Sequence, residues 1–221
     1  MSEYFMWSER HQPQSLDDCI LEGFPAHVQN TLKSLDRANQ VPNILLYGIA
    51  GTGKSTVARI LAEKEGYHIV WRNGSLLNKD NVTELLPVLT NRSLYGERRL
   101  IFIDEADGMT LPAQYALRSL IDPRYEASWL MTCNFRKRLI EPIQSRFMQI
   151  ECSLPSSNER DHHIAGIVNR LQQILRNENI TSVSNDELSR IANDKYPDIR
   201  QTINEAQLRY SFLAEVDINA A

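Results

Sequence analysis

Several features that indicate a metal-binding, secreted or membrane protein are missing from this sequence of 221 residues. Its three cysteines, Cys19, Cys133 and Cys152, are widely spaced and form no C-x-x-C pair, which argues against a zinc ribbon or a disulfide framework. They indicate free thiols in a reducing compartment. The five histidines show no metal-ligand spacing, and we expect His162 and His163 to be solvated.

Membrane, export and strongly basic segments are also missing. No stretch of about 18 apolar residues predicts a membrane span, and the N-terminus, with its acidic Glu3, is unlike a signal peptide. We therefore expect a cytoplasmic or nuclear protein that is not secreted. The net charge is −4, so any contact with nucleic acid must come from a local basic patch.

Apolar runs and helix-period segments alternate through the first 150 residues or so. The predicted strands are 43–47, 68–71, 100–104, 128–132 and 147–152. The predicted helices among them are 24–38, 54–64, 81–90 and 112–121. This alternation predicts an α/β fold with a parallel sheet covered by helices on both faces. Residues 1–18 are polar and are predicted to form an extended arm anchored by Trp7.

Beyond Pro155 the pattern changes to helical periodicity alone. Three helices are predicted, at about 158–177, 184–194 and 198–214. Such a run of helices indicates a small separate bundle. We place the boundary between the two parts near Leu154–Ser157.

Residues 48–55 read GIAGTGKS and fit G-x-x-x-x-G-K-[ST] at every fixed position. A predicted strand precedes them and a predicted helix follows, which is the context that this phosphate-binding loop requires. Backbone N–H groups and the helix N-terminus would surround a polyphosphate, Lys54 would reach its β- and γ-phosphates, and the Ser55 hydroxyl would bind Mg²⁺. The predicted nucleotide-binding residues here are Gly48, Ala50, Gly51, Thr52, Gly53, Lys54, Ser55 and Thr56.

Polar residues follow the other predicted strands. Asp104, at the end of the strand 100–104, is placed to bind Mg²⁺ through a water, and Glu105 to polarise an attacking water. Asn134 could bond that water, although asparagine is also typical of a turn. Arg146 could reach a neighbouring subunit's γ-phosphate, or be a surface arginine. Arg200, in a helix's first turn, could point at the phosphates or pair with Asp198.

Together these residues resemble the AAA+ ATPases, and within them the clamp-loader ATPase subunits. Residues 7–18, WSERHQPQSLDD, resemble the opening W-x-E-K-Y-R-P-x-x-L-x-D of that family. DEAD at 104–107, AQYALR at 113–118 and IEPIQSR at 140–146 resemble three further family motifs. The resemblance covers residues 5 to about 210. It implies a RecA-like nucleotide-binding domain at 1–154, with a five-stranded parallel sheet, and a helical lid domain at 155–221.

The same resemblance implies roles for individual residues. Glu105, Asn134, Arg146 and Arg200 would be the catalytic glutamate, first sensor, trans-acting finger and second sensor. Arg10 in the opening arm and Val41 would lie against the adenine. The residues implied at the subunit interface or in coupling to DNA are Gln114, Arg118, Asp122 and Lys79. The opening arm departs from the family at His11 and Gln12, and Phe147 replaces a cysteine.

The function implied is an ATPase subunit that uses ATP and Mg²⁺ to load a sliding clamp on primer–template DNA. Its partners would be other loader subunits in a ring or partial ring, the clamp and the DNA, with no membrane. The family's third, helical collar domain has no counterpart here, whether by nature or because the chain is a fragment. The alternatives are a helicase loader or initiator, a subunit that binds nucleotide without hydrolysis, and a P-loop kinase.

Overall fold

The computed structural model describes residues 6–64, 66–91, 98–152 and 157–213. Its strands are β1 (Ile44–Tyr47), β2 (Tyr67–Asn73), β3 (Arg98–Asp104), β4 (Ala127–Cys133) and β5 (Met148–Glu151). Its helices are α1 (Trp7–Arg10), α2 (Ala26–Arg37), α3 (Lys54–Ala62), α4 (Lys79–Thr83), α5 (Leu85–Thr90), α6 (Leu111–Leu120), α7 (Glu141–Gln144), α8 (Ser157–Asn177), α9 (Asn185–Lys195) and α10 (Ile199–Tyr210).

The chain divides into two compact units. The sheet unit comprises Asn30–Ile49 and Lys54–Ser153, and the helical unit comprises Met1–Gln29, Ala50–Gly53 and Leu154–Ala221. The boundary predicted at 154/155 falls within 153–156, outside the described residues. The division into domains at that point therefore stays a prediction.

All five strands of the sheet unit are parallel, in the order β2-β3-β4-β1-β5. The predicted parallel five-stranded sheet is thus confirmed. β1 lies between β4 and β5, and its Ile44, Leu45 and Leu46 are fully buried. Parallel pairing brings the carboxyl ends of the strands to one edge, as the register partners Tyr47↔Cys133 and Asn73↔Asp104 illustrate.

Helices cover the sheet because their apolar faces match the continuous apolar strands. The run Leu100–Ile103 of β3 is buried, and each such side chain contributes about 1.5–3 kcal/mol when it leaves water. The helix predicted at 81–90 is two helices, α4 and α5, separated at Glu84. Pro87 has no N–H to donate to the carbonyl four residues earlier, which explains the interruption just before it.

The helical unit packs α8, α9 and α10 around an apolar core that includes Trp7. The predicted anchoring by Trp7 agrees with its burial, and its backbone N donates to Gln207 Oε1 at 2.8 Å. The prediction of an extended arm is wrong at this point, since Trp7–Arg10 forms a helical turn. The prediction that His163 is solvated is also wrong. His163 lies one helical turn before Ile167, on the buried face of α8.

Candidate functional site

The glycine loop joins β1 to α3 at the carboxyl edge of the sheet. Gly48 has a φ of 146°, and a Cβ there would lie 2.4 Å from the carbonyl oxygen of Cys152. Gly51 has a φ of 79°, in the left-handed region that favours glycine. The backbone therefore requires glycine at both positions, which gives the sequence motif its physical reason.

Lys54 and Ser55 open α3 at the end of this loop. Lys54 is only 6% exposed, and its Nζ donates to the carbonyl oxygen of Ile49 at 2.6 Å. Burial lowers the pKa of Lys54, and the nearby Cys152, Cys133 and Asp104 act in the opposite direction. A buried ammonium bonded to a loop carbonyl is well suited to receive a phosphate oxygen, which is a stronger, charged acceptor.

The acid at the end of β3 lies against the hydroxyl of the glycine loop motif. Ser55 Oγ donates to Asp104 Oδ1 at 2.8 Å, although the two residues are 49 positions apart. Thr132 Oγ1 also bonds Asp104 Oδ1. A hydroxyl and a carboxylate are hard oxygen donors of the kind Mg²⁺ prefers, so this pair fits a magnesium site. Among the described residues there is no cluster of three or more His, Cys, Asp or Glu that would hold another metal.

Glu105 turns the chain out of β3 in a left-handed conformation, with φ 54° and ψ 44°. Its backbone N donates to Thr132 Oγ1 at 3.1 Å. Its carboxylate Oε2 accepts long hydrogen bonds from Asn73 Nδ2, at 3.4 Å, and Ser75 Oγ, at 3.3 Å. A non-glycine residue in this conformation is uncommon and is found disproportionately at functional sites.

Sequence reasoning missed Asn73, Ser75 and Thr132 as neighbours of the two acids. Asn73 ends β2 and pairs in register with Asp104, and Thr132 lies near the end of β4. Their position at the carboxyl ends of strands that flank β3 is the signal that could have identified them. Asn134 lies at the same edge, one residue beyond β4 and partly exposed.

Gln114 on α6 is 2% exposed and bonds backbone groups rather than Glu105. Its Nε2 donates to the carbonyls of Met109, at 3.2 Å, and Arg138, at 3.0 Å. Its Oε1 accepts from the N–H of Ile140 at 2.8 Å. Gln114 therefore ties α6 to the segment that leads into α7, and its predicted coupling role stays a prediction.

The other predicted residues of the sheet unit are described by their exposure and their own contacts. Arg146 is exposed just before β5, and its Nη1 donates to the carbonyl of Pro142. Arg118 and Lys79 are exposed, and Asp122 pairs with Arg124 at 3.5 Å. Val41 is buried, and its backbone N donates to the Tyr67 hydroxyl at 2.9 Å.

The helical unit holds the remaining predicted residues. Arg10 Nη1 contacts both carboxylate oxygens of Glu178 at 2.9 Å, so its side chain is engaged within this unit. Arg200 is exposed in the first turn of α10. The N–H of Ile199 donates to the carbonyl of Gly51 at 3.1 Å. A Cβ on Gly51 would lie 2.4 Å from Asp198 Cγ, so this carboxylate lies beside Gly51 within the helical unit.

The chain is similar to several known proteins. A family model described as ATPase family associated with various cellular activities (AAA) matches residues 44–154. Replication factor C small subunit 2 of Pyrobaculum islandicum is 32% identical over 219 residues, covering 94% of this chain and 64% of that protein. The sliding-clamp-loader large subunit of Escherichia phage RB69 is 30% identical over 208 residues, covering 92% of this chain and 64% of that protein.

The chain thus spans about 64% of the length of these relatives. Among solved structures, the Thermotoga maritima RuvB Holliday junction branch migration motor is similar with a TM-score of 0.71 and 20% identity. The match covers 93% of this chain and 67% of that one. At this identity the likeness concerns the fold alone, and it agrees with the parallel sheet. No helix among the described residues has the length and apolar character needed to cross a membrane.

Proposed function

This chain belongs to the AAA family of ATPases, and we propose that it is the ATPase subunit of a sliding-clamp loader. In this role it binds ATP, assembles with other loader subunits, and opens a clamp that is placed on primer–template DNA. The proposal is supported by its similarity to proteins named as replication factor C and phage clamp-loader subunits. The opening arm and the AQYALR motif, which resemble clamp-loader sequences, support it further.

The observation that carries the ATPase part is the contact of Ser55 with Asp104, with Glu105 next along the chain. We propose that Lys54 moves from the Ile49 carbonyl to the phosphates of ATP, which offer a stronger, charged acceptor. Ser55 and Asp104 would hold Mg²⁺, which when bound neutralises charge on the phosphates.

Glu105 is the group proposed to accept the proton of the attacking water. Asn73 and Ser75 orient its carboxylate through bonds to Oε2, and Asn134 completes the polar edge around the water. Arg146 is proposed to act on ATP bound by a neighbouring subunit, since its side chain is exposed at the sheet edge. Arg200 is proposed as the second sensor.

The clamp-loader proposal is tested by measuring ATP hydrolysis with and without a sliding clamp and primed DNA from the same source. We expect the clamp and the DNA together to raise turnover well above that of the chain with its partner subunits alone. Stimulation by DNA with indifference to the clamp would favour a helicase loader or initiator instead. A chain that binds ATP but never hydrolyses it would indicate an assembly subunit.

The role of Arg146 in trans is tested by mixing two inactive variants. Arg146→Ala should bind ATP normally and hydrolyse little, and Lys54→Ala should bind it weakly. If the finger serves a neighbour, a mixed assembly contains sites with an intact Lys54 beside an intact Arg146, and part of the turnover returns. A mixture as inactive as its components, although it assembles to the wild-type mass, would contradict this role.

A further inference from the structure

The side chain of Thr132 contacts both acids of the site from the neighbouring strand. It is 2% exposed near the end of β4. Its Oγ1 accepts a hydrogen bond from the Glu105 N–H at 3.1 Å and is within bonding distance of Asp104 Oδ1. Because a backbone N–H can only donate, the hydroxyl proton of Thr132 points to the Asp104 carboxylate. One side chain thus fixes an oxygen of the first acid and the backbone of the second.

The backbone that Thr132 holds is in a costly conformation. Glu105 has a φ of 54°, and a non-glycine residue keeps a strained left-handed conformation only where its surroundings hold it there. Gly74 packs on the same turn so closely that a Cβ there would lie 2.4 Å from the Glu105 carbonyl oxygen. The position of the Glu105 carboxylate therefore depends on contacts that support this turn.

We propose that Thr132 is a positioning residue for ATP hydrolysis, one that sets the placement of Glu105 relative to Asp104. The inference rests on the proposed ATPase function. Threonine suits the task because its β-branched side chain has a restricted χ1 in a strand, so the hydroxyl direction is fixed. The hydroxyl is also uncharged, so it donates to Asp104 without adding a charge beside the phosphates or the metal.

The test compares two variants that separate shape from hydrogen bonding. Thr132→Val keeps the shape and removes both hydrogen bonds, and Thr132→Ser keeps the hydroxyl. We expect Thr132→Val to lower kcat by roughly 10- to 100-fold, since misplacing a catalytic group by about 1 Å can cost on the order of 100-fold. We expect Ser to remain within about threefold of the wild type.

A second readout does not depend on turnover. Binding of a fluorescent ATP analogue is measured in EDTA and across a Mg²⁺ titration. In EDTA, Thr132→Val should bind the ATP analogue with an affinity within about twofold of the wild type. Because Thr132 also orients Asp104, the variant should need a several-fold higher Mg²⁺ concentration for half of the Mg²⁺-dependent change in binding. Thr90→Val is the matched control, since the Thr90 hydroxyl donates to the Leu86 carbonyl on α5. It should change neither quantity.

The outcomes distinguish this inference from the proposed function. If the wild type neither binds nor hydrolyses ATP, the proposed function fails. If the wild type hydrolyses ATP and Thr132→Val matches it in kcat and Mg²⁺ dependence, the inference alone fails. Equal losses of kcat in Thr132→Val and Thr132→Ser would also overturn it. Should Thr132→Val melt far below the wild type, Thr132→Cys is compared with Thr132→Ser instead. Because the cysteine S–H is a weak donor, we expect Thr132→Cys to lose most of the turnover.

Discussion

Replacing Gln114 by leucine should destabilise the sheet unit strongly, although the two side chains have similar volumes. The Gln114 amide is 2% exposed and makes three hydrogen bonds, to the carbonyls of Met109 and Arg138 and from the N–H of Ile140. Leucine would deprive all three backbone groups of these partners in an apolar setting. A fully buried group left unpaired costs about 1–3 kcal/mol. The bonds to Arg138 and from Ile140 are only partly buried, so water can replace part of their contribution. We therefore expect a total of roughly 2–5 kcal/mol rather than three full penalties.

The assay is urea denaturation followed by circular dichroism, with the free energy of unfolding obtained by linear extrapolation. Gln114→Glu should be at least as harmful, because it keeps an acceptor for Ile140 but turns a carboxylate toward two carbonyls. Tyr115→Ala is the control on the same helix, since Tyr115 is 59% exposed and surface changes usually stay within about 0.5 kcal/mol. A leucine variant as stable as the control would refute this reasoning.

Two further predictions concern the helical unit. Asp198→Asn keeps an N-cap for α10, where the side chain accepts from the Gln201 N–H at 2.9 Å, but removes a negative charge beside Gly51. ATP affinity should therefore rise on the order of threefold while adenosine affinity stays unchanged, and equal effects on both ligands would exclude repulsion of the phosphates. Burial lowers the pKa of His163 in the folded chain, and Glu22 acts in the opposite direction. As the pH falls below about 6.5, the His163 side chain therefore takes up a proton more readily in the unfolded state than in the folded state. The free energy of unfolding should decrease from pH 7.5 to 5.5, and the decrease should be smaller in His163→Gln. The same dependence on pH in the wild type and in this variant would contradict the explanation.

The sequence was most informative where chemistry is encoded in a short, rigid stretch. Residues 48–55 predict the phosphate-binding loop, because Gly48 and Gly51 need backbone conformations or close contacts that only glycine allows. The apolar runs gave the strands, and their parallel arrangement brings Ser55 to Asp104 across 49 residues. That contact follows from a general property of parallel sheets, so it needs no knowledge of side-chain packing.

The sequence did not predict contacts that depend on the register of paired strands or on packing between residues far apart in the chain. Thr132 and Asn73 meet the acids because β4 and β2 both pair with β3, and a shift of one residue would turn them to the opposite face. The pairing of Arg10 with Glu178 joins residues 168 positions apart. His163 has a polar side chain but is buried on the apolar face of α8. Its burial depends on what α8 packs against, which the residues around it in the sequence do not show.

The most direct test of the account is a paired measurement of ATP binding and hydrolysis by Glu105→Gln. Glutamine keeps the shape of the side chain but cannot accept the water's proton. We predict MgATP binding within about threefold of the wild type and a loss of turnover on the order of 100-fold or more. Wild-type turnover in this variant, or loss of binding and turnover together in a folded chain, would contradict the role given to Glu105.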